Sequence, residues 1–221
     1  MKIASIRGHV IIGTGETIDD GAVLLEGDTI SWVGKSAEVP SADVTIELQG
    51  RTLTPGLIDV HIHMIGGNKA SGLGGEAATF KMNDSSAKAL LEGVAAANIA
   101  LKAGFTTVHE VGGRDYLDVA LHDAQAQGHV IALRILASGP GAFPTGGLGS
   151  YLEPNGTVDS VEGAVHRVRA MISRGVDVIK LVSADGPQQL GKHWAVFPTA
   201  DEVAALFAEA TRCGRLKAAH G

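Results

Sequence analysis

A regular alternation of strand and helix patterns, from residue 57 to the end of the chain, constrains the fold more than any other feature. Short apolar runs predict strands at residues 57–64, 106–111, 130–137, 177–183 and 216–220. Helical periodicity and capping residues predict helices between them, at residues 85–103, 116–127, 161–172 and from 199 to about 213. Asp159 and Ser160 are the candidate caps of the third helix, and Thr199 with Glu202 predicts a capping box for the fourth. Strands that alternate with helices pair in parallel, which predicts βαβ units in either a barrel or an open sheet.

The first quarter of the chain has a different pattern, in which short β-rich runs alternate with turns. Runs at residues 23–26 and 29–33 flank Gly27-Asp28 and predict a hairpin, and residues 44–48 predict a further strand. We therefore expect two domains. Residues 1–54 would form a small, incomplete β-sandwich module, and residues 55–221 would form the larger strand–helix domain.

Composition limits the kind of partner that the protein can have. Hydrophobic residues make up 45% of the 221 positions and charged residues 19%, as in an ordinary globular protein. The net charge of -6 and pI near 5.8 argue against nucleic acid and anionic membranes as partners. Cys213 is the single cysteine, so an internal disulfide is ruled out. With no signal-peptide pattern at the N-terminus and no membrane-length apolar run, we expect a cytoplasmic protein.

Two histidines lie one residue apart in residues 54–63, which read TPGLIDVHIH. Side chains alternate along a strand, so His61 and His63 share one face and Ile62 faces the other. We expect the strand to be buried and apolar, with the pair at its carboxyl end. Two imidazoles placed in this way are able to reach a single metal ion.

Four residues form the candidate site: His61, His63, Lys180 and His220. Each lies near the carboxyl end of a predicted parallel strand, which is where α/β barrels carry their active sites. Imidazoles are common ligands of zinc and similar metals. A buried lysine has a lowered pKa, and its neutral amine can react with carbon dioxide to give a carbamate that bridges two metals. The simpler interpretations stay open: structural histidines, and a lysine that reaches solvent.

These residues also carry a family resemblance. It runs through TPGLIDVHIH, then AGFTTV with VGG (103–108 and 111–113), LRILASG (133–139), GVDVIK (175–180) and KAAH (217–220), and DGAVL (20–24) in the first module is similar as well. The sequence resembles the amidohydrolase superfamily, in its imidazolonepropionase-like and metal-dependent dipeptidase-like branch. The resemblance implies a (β/α)8 TIM-type barrel. We expect this chain to supply its first five βα repeats and to be truncated after the fifth strand, because a whole barrel needs roughly 250 residues.

The resemblance also implies roles for the candidate residues. His61 and His63 would hold the more buried of two zinc ions, His220 would hold the second, and carboxylated Lys180 would bridge them as the catalytic residue of the set. A further ligand histidine and the aspartate that acts as general base would lie beyond Gly221. The implied activity is hydrolysis of a carbon–nitrogen bond in a small amide, cyclic amide or dipeptide-like substrate.

Alternatives to this activity remain open at the level of sequence. The chain could be a non-catalytic, truncated fragment that is inactive without a missing C-terminal half, and deamination of a ring would use similar metal chemistry. Relatives usually associate, so we expect a homo-oligomer or a partner that supplies the missing half. His109 and Glu110 stand where this branch commonly has arginine and aspartate, so the substrate stays open.

Two further stretches bear on the pocket. The glycine-rich residues 66–67 and 72–75 lack the Gly-Lys-Ser/Thr of a phosphate-binding loop, and they predict a loop over the site instead. His193 and Trp194 follow the fourth strand of the larger domain. They either line the pocket or pack within their own loop.

Overall fold

The structure is a computed structural model, and it describes residues 3–65, 85–147, 153, 156–183 and 197–220. The glycine-rich stretches at 66–67 and 72–75 lie outside the described residues, as do His193 and Trp194. The chain divides into two compact units, Met1–Gly56 and Leu57–Gly221. None of the helices in the described ranges is long and apolar enough to cross a membrane.

The smaller unit is a four-stranded sheet built from Ile3–Ile11 (β1), Thr17–Glu26 (β2), Thr29–Lys35 (β3) and Val44–Leu53 (β4). The strand order is β3-β2-β1-β4, with β4 parallel to β1 and the other neighbours antiparallel. The predicted hairpin is confirmed, because Glu26 pairs with Thr29 across a turn at Gly27. Gly27 has a φ of 66°, a conformation that glycine adopts at little cost. A sandwich, which needs a second sheet, stays a prediction.

The larger unit contains five strands: Leu57–Ile62 (β5), Phe105–Glu110 (β6), Arg134–Ala137 (β7), Val178–Val182 (β8) and Leu216–His220 (β9). The first three pair in parallel in that order, and β8 pairs in parallel with β9. The amide of Asp177 donates to the carbonyl of Ala137 at 2.8 Å, so the start of β8 lies beside the end of β7. The predicted parallel pairing is therefore confirmed for these strands, and closure into a barrel stays a prediction.

Four helices connect or precede these strands: Ser86–Lys102 (α1), Leu117–Ala126 (α2), Val161–Ser173 (α3) and Ala200–Arg212 (α4). The predicted capping box of α4 is confirmed, since Thr199 and Glu202 accept from each other's backbone amides. Of the two candidate caps for α3, Ser160 is the one used, and it accepts from the amide of Gly163. The other, Asp159, accepts instead from the hydroxyl of Thr145 at 2.7 Å.

The strand predicted at 130–137 and the helix predicted at 116–127 both begin later in the structure. The strand predicted at 130–137 is confined to β7, because the residues up to Val130 still close the C-terminal turn of α2 around Gly128, which has a φ of 74°. There the amide of His129 donates to the carbonyl of Ala124 at 2.8 Å. The helix predicted at 116–127 begins one residue later, since Tyr116 has a φ of 57° and ends a short 3-10 turn.

The core of the larger unit consists of two apolar clusters, each between strands and helices. One cluster joins β6 and β7 to α1 and α2 and includes Val108 and Ile135. The other joins β8 to α3 and α4 and includes Ile179 and Leu206. Every residue of β8 is buried. This strand therefore provides a rigid support for any side chain that it carries.

The strand that carries the histidine pair is more exposed than the sequence suggests. Ile58 is 61% exposed and Val60 is 63% exposed, so the expectation of a buried strand is wrong for β5. The physical reason is that β5 lies at the edge of its three-stranded sheet, with β6 as its neighbour on one side. An alternating apolar pattern does not reveal whether a strand is central or at an edge.

Candidate metal site

Three imidazole rings lie together although their strands are distant in sequence. His61 lies in β5 and His63 directly follows that strand, and their ring centroids are 5.4 Å apart. His220 ends β9, and its ring centroid lies 5.9 Å from that of His61. The structure thus brings together the three histidines that the sequence selects as ligands.

Lys180 is buried in the middle of β8, rather than at its end as predicted. The residue is 1% exposed, and its Nζ atom has no hydrogen-bond partner among the described residues. Burial lowers the pKa of Lys180 to about 8, because the charged ammonium loses its hydration. Gly141 packs directly against this lysine, since a Cβ at position 141 would lie 3.4 Å from Lys180 Cγ.

The electrostatics of the site favour neutral imidazoles. Burial lowers the pKa of His61, and the positive charge of Lys180 lowers it further, followed by smaller effects of the other two histidines. The carboxylate of Asp59 opposes this change. The pKa of His220 is lowered in the same way, first by burial and then by Lys180 and His63. A neutral imidazole has the lone pair that metal binding requires.

The donor types fit a divalent metal, although no finished coordination shell is present among the described residues. Within those residues, no three or more His, Cys, Asp or Glu side chains converge closely enough to hold an ion. The three imidazoles are therefore neighbours rather than a formed ligand set. Imidazoles nevertheless suit zinc, and the unpartnered amine of Lys180 is the group on which a carbamate would form.

A buried carboxylate, which the sequence marked only as a departure from the family pattern, lies beside the site. Glu110 ends β6 and is 0% exposed. Its Oε1 atom lies 3.5 Å from Nδ1 of His63, and its Oε2 atom accepts from the amide of Met64. The available signal was a charged residue at the carboxyl end of an otherwise uncharged predicted strand.

A second buried carboxylate, Asp118, supports the end of β7. Its Oδ2 atom accepts from the amides of Ser138 at 2.9 Å and Gly139 at 2.7 Å. Burial, and then the nearby charge of Glu110, raise the pKa of Asp118 to about 7. These bonds fix the turn at residues 138–141, which leads from the end of β7 to the backbone beside Lys180. No sequence signal marks Asp118, which lies on the buried side of α2.

The same turn is held from its other side by Arg167 of α3. Its Nε atom donates to the carbonyl of Gly141 at 3.0 Å, and Nη2 donates to Glu153 Oε2 at 2.6 Å. The next amide along, that of Ala142, donates to the carbonyl of Lys180 at 2.7 Å. The turn is therefore part of the wall that keeps Lys180 buried.

The fold and these side chains define a class: a mixed α/β protein whose parallel strands carry histidines at their carboxyl ends and a buried lysine beside them. Residues 52–221 match the model of the amidohydrolase family. The chain belongs to the amidohydrolase family, and the resemblance seen in its motifs is confirmed.

Similar proteins agree with this assignment. The imidazolonepropionase of Roseobacter denitrificans is 50% identical over 58 residues, which are 24% of this chain and 15% of that protein. A solved prolidase complexed with N-methylphosphonate-L-proline has a TM-score of 0.80 and 26% identity over 99% of this chain and 56% of its own. A Xaa-Pro dipeptidase with bound methionine has a TM-score of 0.81 and 23% identity, again over 99% and 56%. At 23% identity the likeness shows the fold alone.

The chain spans little more than half the length of these solved structures. Its alignments with the curated imidazolonepropionases cover less than a fifth of their length.

Proposed function

We propose that the protein is a metal-dependent amidohydrolase that cleaves a carbon–nitrogen bond in a small amide, cyclic amide or dipeptide-like substrate. The observation that carries the proposal is the meeting of three imidazoles beside a buried lysine. The rings of His63 and His220 lie within 6 Å of that of His61, at 5.4 and 5.9 Å. Membership of the amidohydrolase family supports the same chemistry.

Each candidate residue has a proposed role. His61 and His63 would hold one metal ion, His220 would hold a second, and Lys180, as a carbamate, would supply the ligand that the two ions share. We propose zinc, which when bound polarises a substrate carbonyl and lowers the pKa of a bound water. Burial of Lys180 lowers its pKa to about 8, so a fraction of its amine is neutral and reactive near neutral pH. The lowered pKa values of His61 and His220 keep their lone pairs available.

The remaining ligand and the general base are proposed to come from the part of the relatives that this chain does not span. The relatives suggest which substrates to try first. Imidazolonepropionases and a Xaa-Pro dipeptidase are among the proteins that the chain resembles. An imidazolone propionate tests the cyclic-amide class, and a set of Xaa-Pro dipeptides tests the peptide class.

The experiment measures zinc content and hydrolysis of both substrate classes with the full-length protein. We expect about two zinc ions per chain in wild-type protein, and loss of both zinc and activity in the variants His61→Ala and His63→Ala. His129→Ala is the matched control, since His129 is exposed and lies outside the site. Wild-type protein that holds no metal under zinc-replete conditions would contradict the proposal, and so would a His61→Ala variant with full activity.

A second candidate function is that the chain is a non-catalytic part of such an enzyme. The observation that favours it is the 56% coverage of the solved prolidase. Intact-mass measurement of the native material separates the two candidates. A mass of 22.7 kDa without a second polypeptide supports the non-catalytic part, whereas a larger mass or a co-purifying chain supports the enzyme. Light scattering on the same sample tests the expected homo-oligomer.

A further inference from the structure

The surroundings of Glu110 suggest a role beyond the packing of β6. The side chain is completely buried, which is costly for a carboxylate unless its oxygens have partners. Oε2 has one in the amide of Met64. Oε1 makes no hydrogen bond among the described residues, but it faces Nδ1 of His63 at 3.5 Å. This distance is a few tenths of an ångström beyond the usual range for an N–H···O bond.

Gly112 fixes the same edge of the His63 ring. A Cβ atom at position 112 would lie 2.8 Å from both Nδ1 and Cε1 of His63. Such contacts are closer than carbon atoms tolerate, so the ring occupies space that any residue other than glycine would fill. The Nδ1–Cε1 edge of the ring therefore lies against the end of β6 and the residues just after it, which leaves Nε2 as the ring nitrogen that does not face Glu110.

We propose that Glu110 and Gly112 are positioning residues for His63, which hold its ring as the Nδ1–H tautomer and present Nε2 to the metal. This inference rests on the proposed function and deepens it. A carboxylate that accepts from the second nitrogen of a ligand histidine fixes the tautomer and orients the ring. Gly112 contributes sterically, because a Cβ at this position would displace the ring from its place beside Glu110.

A purely structural role for Glu110 predicts something different. If the carboxylate serves only to accept a hydrogen bond from the backbone amide of Met64, a glutamine can replace it. The side-chain oxygen of the glutamine would accept the same bond. In that geometry the glutamine NH₂ group would face Nδ1 of His63. A donor at this position favours an unprotonated Nδ1 and hence the Nε2–H tautomer, which cannot bind a metal through Nε2.

The test is therefore the variant Glu110→Gln in the full-length protein, with two measurements. The first is the tautomer of His63 in metal-free protein, read from ¹⁵N-detected histidine NMR spectra. We expect Nδ1–H in wild-type protein and a shift toward Nε2–H in the variant. The second is zinc affinity by competition with a chromophoric chelator, which we expect to fall by about 10- to 100-fold. Glu162→Gln, at an exposed site on α3, is the matched control and should change neither.

The variant Gly112→Ala provides a second test in case Glu110→Gln does not fold. It leaves Glu110 intact and should also weaken zinc binding by about 10-fold or more, whereas Gly163→Ala in α3 should not. Unchanged tautomer and zinc affinity in the variants overturn the proposal, and so does a tautomer shift without loss of affinity. Failure of the proposed function has a different signature: wild-type protein binds no zinc, while the tautomer measurement still reports on the contact between Glu110 and His63.

Discussion

The ring centroids of His61 and His220 lie 5.9 Å apart, although the residues come from the first and the last strand of the larger unit. Neighbouring strands are about 4.8 Å apart, so four spacings in a flat sheet would separate these strands by about 19 Å. Side chains that lean toward each other recover only part of that distance. The contact therefore favours strands that curve around a common axis, and it supports the barrel that we propose over a flat open sheet.

The buried amine of Lys180 leads to a prediction about stability. Replacement by methionine in Lys180→Met removes a polar atom that is buried without a hydrogen-bond partner in the described part of the chain. We expect the free energy of unfolding of the metal-free protein to rise by about 1–3 kcal/mol, while zinc binding weakens. Chemical denaturation in carbon-dioxide-free buffer measures the change. Lys217→Met is the control, since the ammonium of Lys217 is exposed and bonds to Thr211; a destabilised Lys180→Met protein would refute the account.

Asp118 predicts a specific pH dependence of stability. Burial and the charge of Glu110 raise its pKa from 3.8 to about 7 in the folded protein. Between about pH 4 and 7 the folded protein therefore binds one proton more than the unfolded chain, and this residue makes stability fall as pH rises. The slope reaches about 1.4 kcal/mol per pH unit for one full proton.

The variant Asp118→Asn tests this dependence, because asparagine can still accept from the amides of Ser138 and Gly139. We expect its profile of unfolding free energy against pH to lack the fall that Asp118 causes. Asp123→Asn, at an exposed position of α2, should keep the wild-type profile. Parallel profiles for Asp118→Asn and wild-type protein would show that the carboxyl group ionises normally.

The turn at Gly141 gives a third prediction. Arg167→Met removes the donors that satisfy the buried carbonyl of Gly141 and the side chain of Glu153. We expect a loss of about 2–3 kcal/mol in unfolding free energy, measured by urea denaturation, since a buried acceptor is left without its partner. In contrast, Arg169→Met should cost less than about 1 kcal/mol, because Arg169 is exposed and the buried carboxylate of Glu209 keeps its two bonds from Arg212. Equal costs for the two variants would contradict this account.

Much of the fold was predictable because local rules govern it. The hairpin around Gly27, the capping box at Thr199 and the parallel pairing of the strands follow from turn chemistry, capping and strand–helix alternation. The exceptions have different causes. The late start of β7 is local, because the turn that closes α2 after Gly128 continues to His129, and the apolar run alone does not show this. The exposure of β5 depends on the tertiary arrangement, because the strand lies at the edge of its sheet.

The candidate site shows the same division. The three histidines and Lys180 were selected because residues at the ends of parallel strands converge, and the structure brings the three rings together. The carboxylates of Glu110 and Asp118 were not among the predicted site residues, since a charged residue in a strand or helix is usually exposed. Their burial becomes visible only when β6, β7 and α2 are packed.

The most direct test of the account is a zinc titration of the full-length protein and of the variants His61→Ala, His63→Ala and His220→Ala. If these residues form one centre, each variant loses zinc that wild-type protein retains, and His129→Ala binds as wild-type protein does. Lys180→Met should lose the bridged second ion in the same titration. Full zinc occupancy in all three histidine variants would show that these residues do not form one metal centre.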